Sequence, residues 1–296
     1  MEELDRSRFL VETDWLATHL DDPAIRIVDM RGYVRTIDLG NGRQEATYIG
    51  APEEYARGHI PGAVYIDWSK DIVDLNDTIE AQVAPPERFA EVMQRMGIGD
   101  QHLVVAYDAH VASQFATRLW WALNYYGHPR VVVLNGGFPK WQREQRPLDT
   151  WVPSYPPASF TPDVQPELRA TAEDMLALIG KPAVHLVDAR DSGQYTGKVV
   201  RGHGRPGHIP GAVNIPREEL INAEDGTFRS NEHLQQVFAQ SHLSPGERVV
   251  AYCNGGVAAT TVLFSLAMLG YPQLTNYDGS WNEWGARQDL PTETKC

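Results

Sequence analysis

Short apolar runs alternate with longer amphipathic stretches along most of the chain. In the second half the runs VHLV, RVVAY and LTNY have strand length, and the stretches between them repeat apolar residues every three or four positions. The pattern predicts strands at residues 184–187, 248–252 and 274–277, and helices at residues 86–96, 113–126, 231–241 and 258–269. Strands that alternate with helices predict an α/β fold, with a mostly parallel sheet flanked by helices on both faces.

The same four sequence features occur twice in the same order. The most specific is GHIPGAV, at residues 58–64 and again at 207–213. The other pairs are IRIVDMR with AVHLVDAR, LVVAYD with RVVAYC, and VVVLNGGFPKW with LTNYDGSWNEW. Repeats at matching positions indicate a duplicated domain, which we place at residues 9–143 and 167–288. Residues 144–166 between them are rich in proline, which disfavours helix and predicts an extended linker.

The charge and the cysteine content narrow the class of protein further. The formal net charge of −13 disfavours nucleic-acid binding, which needs a basic surface. No uncharged apolar run reaches the ~18 residues of a membrane helix, so no membrane association is expected. The acidic start resembles neither a secretory signal nor a transit peptide. Cys253 and Cys296 are too few for a disulfide framework. We therefore expect a cytoplasmic protein. Cys296 is the last residue, and we expect no role for it.

Cys253 follows a predicted strand, at the edge where open α/β sheets bind their ligands. Asn254, Gly255, Gly256, Val257 and Ala258 come next and lead into a predicted helix. Glycines permit a tight turn with inward N–H groups, and the helix N-terminus adds positive potential. Such a cradle favours a thiolate and holds a persulfide anion, so it predicts nucleophilic catalysis without a metal. The alternative is a buried core cysteine beside a glycine turn.

The first copy carries Asp108 at the position of Cys253 and lacks both glycines. The two copies share the surrounding motifs and differ at the position of the cysteine, which indicates one active and one inactive domain. We interpret Asp108 as a solvated or capping carboxylate. We expect the active cleft to lie between the domains, with Cys253 facing the first. Because the duplication already pairs two domains in one chain, we expect a monomer.

These motifs resemble the rhodanese family, and specifically its tandem-domain members, over nearly the whole chain. The resemblance rests on VDAR, GHIPGAVNIP, VVAYCNGGVAA and NYDGSW in the second half and on the repeated GHIPGA. It implies a sulfurtransferase in which Cys253 takes a sulfane sulfur from thiosulfate or 3-mercaptopyruvate and passes it to cyanide, a thiol or a protein. It implies no cofactor and no metal. A noncatalytic or partner-loaded sulfur carrier is the alternative.

The residues around Cys253 depart from both donor types of the family. Thiosulfate-preferring relatives carry basic residues after the cysteine, and mercaptopyruvate-preferring relatives carry a hydroxyl where this chain has Gly255. The lack of that hydroxyl favours thiosulfate. Gln194 stands where relatives of both kinds tend to have an arginine. His59 resembles a proton-relay histidine of mercaptopyruvate-preferring relatives; the alternative is a turn residue of the Ile-Pro-Gly bend.

An anionic donor needs a cation, and arginine binds oxyanions through two parallel hydrogen bonds. The local candidates for binding the donor are Arg190, Arg201 and Arg205. Arg190 could instead be structural and pair with a carboxylate such as Asp188 or Asp191.

Two other enzyme classes share part of this pattern. A cysteine phosphatase of related fold would need an arginine six residues after the cysteine to clamp phosphate, and Ala259 stands there. A P-loop nucleotide enzyme would need Gly-x4-Gly-Lys-Ser/Thr, which the sequence lacks. Neither class is favoured.

Overall fold

The structure, a computed structural model, describes residues 5–202 and 204–294, so that Cys296 lies outside the described residues. Its helices and strands form two α/β domains that follow each other along the chain. The elements of the first domain are β1 (Leu10–Val11), α1 (Thr13–Ala17), β2 (Ile25–Asp29), β3 (Gly32–Gly40), β4 (Arg43–Gly50), α2 (Pro52–Arg57), β5 (Val64–Tyr65), α3 (Pro86–Arg95), β6 (Leu103–Tyr107), α4 (Gln114–Tyr125), β7 (Val131–Leu134) and α5 (Gly137–Arg143). Those of the second are β8 (Arg169–Ala170), α6 (Ala172–Leu178), β9 (Val184–Asp188), α7 (Ser192–Tyr195), β10 (Val200–Arg201), β11 (Val213–Asn214), α8 (Asn231–Gln240), β12 (Arg248–Tyr252), α9 (Ala259–Met268), β13 (Leu274–Tyr277) and α10 (Ser280–Trp284). Short 3₁₀ helices lie at Arg6–Arg8, Pro166–Leu168 and Arg217–Leu220.

Each domain is built on a five-stranded parallel sheet. The strand order is β1-β7-β6-β2-β5 in the first domain and β8-β13-β12-β9-β11 in the second, so the same topology occurs twice. The central strands β6 and β12 read LVVAY and RVVAY and are buried after their first residue. Strands covered by helices on both faces need such continuous apolar runs. The predicted duplicated α/β fold is confirmed.

Helices α4 and α9 pack against each other between the two sheets. Helix α9 is buried along nearly its whole length, because one side covers its own sheet and the other meets the first domain. The Thr117 and Thr260 hydroxyl oxygens lie 2.9 Å apart across this contact. The Phe264 ring lies 5.0 Å from that of Trp120 and 6.0 Å from that of Phe9. The apolar core is therefore continuous from one domain into the other.

A third, smaller sheet joins the domains and was not predicted. Strands β3 and β4 form an antiparallel hairpin, and β10 of the second domain pairs in parallel with β4. The hairpin turns at Gly40, Asn41 and Gly42, all at positive φ. An Asn-Gly pair between strands is a strong hairpin signal, so the sequence carried this information. The pairing of Arg201 with Gln44 places the hairpin beside the second domain's loops.

Residues 151–165 contain no helix or strand and run along the first domain. Arg26 lies 4.3 Å from the centroid of the Tyr155 ring. Phe160 is buried, with its ring 5.8 Å from that of Phe89. This proline-rich segment is thus held against the surface of the first domain by its aromatic side chains. Within residues 5–202 and 204–294, none of the helices has both the length and the apolar character to cross a membrane.

Candidate active site

Cys253 lies at the carboxyl end of β12, the central strand of the second sheet, with 3% of its surface exposed. It faces a cavity of about 310 Å³ to which both domains contribute side chains. From the predicted cradle, the cavity is lined by Asn254, Gly255, Val257 and Ala258. The sulfur is therefore enclosed between the domains, on the side of the first.

The backbone of the Cys253 loop offers several N–H groups to this cavity. Those of Cys253 and Gly256 donate to the Ser280 hydroxyl at 3.1 and 2.9 Å. Those of Gly255, Val257 and Ala258 have no acceptor among the described residues. Free N–H groups at the start of α9 make a site for an anion.

Gly256 is the position in this loop that requires glycine. Its φ is +68°, in the left-handed region, and a Cβ there would lie 2.7 Å from Asp278 Oδ1. Its N–H is already bonded to Ser280, so Gly256 shapes the turn and offers no free donor to the cavity.

Asn254 and Gln194, both departures from the family pattern, contact each other. The Asn254 amide donates to Gln194 Oε1 at 2.9 Å. Asn254 Oδ1 is buried without a partner in the part of the chain that the structure describes. A neutral amide pair thus occupies the place where relatives tend to carry an arginine.

Two arginines line the cavity. Arg201 lies on β10, 5.5 Å from the centroid of the Tyr48 ring, and its Nη2 is buried with no acceptor among the described residues. Arg217 begins the 3₁₀ helix Arg217–Leu220 and pairs with Glu218 at 2.8 Å. Its Nε is also buried without an acceptor there. Arg201 was a predicted candidate, and Arg217 was missed.

Arg190 and Arg205 have other partners. Arg190 pairs with Asp188 at 2.6 Å and donates to the Gly207 carbonyl at 2.7 Å. The first copy repeats this arrangement with Arg31 and Asp29, also at 2.6 Å, although it has no cysteine. An arrangement common to both copies fits the structural alternative stated for Arg190. Arg205 donates to the carbonyls of residues 284, 285 and 287, and neither arginine lines the cavity.

His59 is not brought to the cavity. Its Nδ1 lies 2.9 Å from the Tyr55 carbonyl oxygen and its Nε2 lies 3.1 Å from that of Trp151. The ring stacks on Tyr55, with centroids 3.9 Å apart, and is fully buried. His208 stacks on Tyr195 in the same way in the second copy. The geometry fits a turn residue, as the alternative for His59 stated.

The first domain supplies the opposite wall of the cavity, and the sequence did not predict which of its residues do so. Its residues come from the hairpin, from the loops after β5 and β6, and from the start of α4: Val34, Thr36, Gln44, Tyr48, Trp68, His110 and Gln114. Burial, with a smaller contribution from the charge of Arg217, lowers the pKa of His110 to about 4. His110 is therefore uncharged near neutral pH.

Asp108 shows that the N–H groups of this loop converge on the position of the sulfur. It takes the position of Cys253 at the end of β6 and is 1% exposed. Its carboxylate accepts the N–H groups of His110, Phe115 and Ala116, each at 2.8 Å. Burial raises its pKa to about 7. Asp108 is thus a buried cap of α4, and it fills the position at which the second copy has its sulfur.

Asp278 ties the Cys253 loop to the first domain. Its buried carboxylate pairs with Arg118 of α4 at 2.6 Å and accepts the Val83 N–H at 2.8 Å. Arg118 also donates to the Gly256 carbonyl at 3.2 Å. The position of the loop is therefore set by both domains.

A family model for rhodanese-like domains matches the chain at residues 12–144 and again at 171–287. The chain belongs to the rhodanese-like family. This rhodanese-like protein is 35% identical to the 3-mercaptopyruvate sulfurtransferase of Escherichia coli K12 over 288 residues, 96% of this chain and 98% of the relative. It is 36% identical to the sulfur carrier protein TtuD of Thermus thermophilus over 296 residues, 95% of each chain. It is also similar to the crystal structure of SseA from Escherichia coli, a 3-mercaptopyruvate sulfotransferase, with a TM-score of 0.81 and 32% identity over 92% of this chain and 98% of that one.

The predicted tandem rhodanese family is thereby confirmed, and this rhodanese-like protein is an enzyme of the sulfurtransferase class. The domain bounds 9–143, 144–166 and 167–288 stay predictions. So do the cytoplasmic location, the monomeric state and the roles of individual site residues.

Proposed function

We propose that the enzyme moves a sulfane sulfur from a small anionic donor to a thiol or cyanide through a persulfide on Cys253. The observation that carries the proposal is the cavity, where the buried sulfur, free backbone N–H groups and two guanidinium groups meet. An anion cradle beside a nucleophile suits covalent catalysis, because it stabilises the charged intermediate.

The charges that line the cavity support an anionic donor. Among the lining residues, Arg201 and Arg217 are positive, Asp191 is negative, and His110 is uncharged near neutral pH; Glu218, the partner of Arg217, does not line the cavity. A Cys253 thiolate then brings the total to zero. Without Arg217 the lining residues together with the Cys253 thiolate would carry a net negative charge and repel an anionic donor. We therefore propose that Arg201 and Arg217 together bind the oxygens of the donor.

Thiosulfate is the donor that requires no proton transfer from the protein. The Cys253 thiolate attacks its outer sulfur, the sulfur–sulfur bond breaks, and sulfite leaves with the electron pair. The charge on both sides of this step is the same, and no proton moves. The persulfide anion that remains would accept the free N–H groups of Gly255, Val257 and Ala258.

3-Mercaptopyruvate is the second candidate. It is favoured by the 35% identity to a 3-mercaptopyruvate sulfurtransferase across nearly the whole of both chains. Its carboxylate could use the same two arginines, but its leaving group is an enolate, which must take up a proton.

Intact-mass spectrometry after incubation with each donor, followed by peptide mapping, tests the proposal. We expect a gain of one sulfur atom on Cys253 that cyanide removes. Cys253→Ser should abolish the gain, and Cys296→Ser should leave it unchanged. No gain with either donor would refute loading by small anions and favour a carrier loaded by a partner protein, as the name of the TtuD relative suggests.

Arg217→Gln tests the binding of the donor. We expect the KM for thiosulfate to rise by about 10- to 100-fold, the range for losing a hydrogen bond between charged groups. Glu218→Gln is the matched control, because it breaks the ion pair of Arg217 and keeps its charge. An equal rise in KM for both variants would mean that the ion pair matters and that Arg217 does not bind the donor.

A further inference from the structure

The hydroxyl of Tyr48 enters the Cys253 loop from the other domain. Tyr48 lies on β4 and lines the cavity together with Cys253. Gly255 has no side chain, and a Cβ at that position would lie 3.2 Å from Tyr48 Oη. The glycine therefore admits the phenol to within reach of the loop, two residues from the sulfur.

The Tyr48 hydroxyl has a proton to give. Asn282 donates to Tyr48 Oη at 3.2 Å, so the oxygen is the acceptor in that bond. Its own O–H has no acceptor among the described residues. Burial raises the pKa of Tyr48, which keeps the phenol protonated, and Arg201 opposes that shift. The guanidinium group beside the ring would stabilise a transient phenolate.

We propose that Tyr48 is the proton shuttle that lets this enzyme accept sulfur from thiol donors whose leaving group is an enolate, of which 3-mercaptopyruvate is the simplest. The proposal rests on the persulfide proposed for Cys253. The thiolate attacks the donor sulfur, the carbon–sulfur bond breaks, and its electron pair forms the enolate. Tyr48 protonates the enolate carbon to give pyruvate. The Cys253 persulfide, still protonated, then returns its proton to the phenolate.

This cycle balances without any other reactant, because the proton that Tyr48 gives to the carbon of pyruvate is replaced by the thiol proton of the donor. Thiosulfate makes no such demand, because sulfite leaves without a proton. The role of Tyr48 is therefore visible as a difference between the two donors. Replacing a residue that only shaped the cavity would slow loading by both donors.

Tyr48→Phe removes the hydroxyl and keeps the ring. Single-turnover loading is followed by intact mass with each donor, and pyruvate release is measured in parallel. With 3-mercaptopyruvate we expect the maximal rate to fall by about 10²- to 10⁴-fold at an unchanged KM, the usual contribution of general acid catalysis. Loading by thiosulfate should not change. Tyr33→Phe is the matched control, since Tyr33 lies on the same hairpin with its hydroxyl bonded to Glu54 outside the cavity.

Equal losses with both donors, or no loss with either, would overturn the proposal. A parent enzyme that loads from thiosulfate and not from 3-mercaptopyruvate would also overturn it while leaving the persulfide intact. A parent that loads from neither would remove the proposed function itself. Gly255→Ala is a second test of the proposal. Its Cβ would lie 3.2 Å from Tyr48 Oη and should slow loading by 3-mercaptopyruvate more than loading by thiosulfate.

Discussion

Replacing Arg118 by methionine should show how far the Cys253 loop depends on the other domain. The change leaves the Asp278 carboxylate buried without its 2.6 Å partner. Asp278 keeps the Val83 N–H at 2.8 Å and Arg169 Nε at 3.4 Å. Breaking a buried ion pair by removing one partner costs about 3–5 kcal/mol, and the remaining contacts place this case near the lower value. The carbonyl of Gly256 also loses a donor, so persulfide formation should slow.

Urea unfolding followed by tryptophan fluorescence measures the loss. Arg118→Met combined with Asp278→Asn should be less destabilising than Arg118→Met alone, since the fully buried carboxylate is removed together with its partner. Glu173→Gln, which breaks an exposed ion pair with Arg287, should leave the urea midpoint close to that of the parent. A loss below about 1 kcal/mol for Arg118→Met, the value of a surface pair, would refute the reasoning.

Three further predictions concern the two copies of the loop. Gly256→Ala should destabilise the fold by at least about 1–2 kcal/mol, because its φ is left-handed and its Cβ would meet Asp278; an unchanged urea midpoint would show that the loop relaxes freely. Ser280→Ala leaves two buried N–H groups without an acceptor and should cost about 1–3 kcal/mol, more than Ser265→Ala, which removes only a donor to a helix carbonyl. Burial raises the pKa of Asp108 from 3.8 to about 7, so between these pH values the folded state holds a proton that the unfolded state has lost. The contribution of Asp108 to the free energy of unfolding therefore falls by up to ~4 kcal/mol as the pH rises from about 4 to 7. Asp108→Asn should flatten that decline, and an identical pH dependence of the unfolding midpoint would contradict it.

The sequence was sufficient for features that occur twice. The repeated motifs gave the duplicated parallel sheet, and the contrast between Cys253 and Asp108 pointed to the loop that faces the cavity. The same comparison already favoured a structural role for Arg190, because Arg31 repeats it in a copy without a cysteine. Arg217 was also within reach, since it directly follows GHIPGAVNIP at the place where the first copy has a tryptophan.

The rest of the site depends on contacts between residues far apart in the chain. Tyr48 and Gly255 are separated by most of the sequence, and nothing in local propensity brings them together. The hairpin had its own signal in the Asn-Gly turn, but its pairing with β10 could not be read from periodicity, because β10 has only two residues. Tertiary packing decides such contacts, and a single sequence does not contain that packing in readable form.

The pairing of β10 with β4 makes the cavity a joint product of the two domains. A gene encoding only the second half would retain the nucleophile and its cradle but lose Tyr48, Trp68 and His110 from the cavity wall. The persulfide proposed for Cys253 would then be open to water on that side, where other thiols could react with it. On that proposal the copy without a cysteine covers the sulfur held by the other copy, so that one chain would combine a domain that is loaded and a domain that shields it.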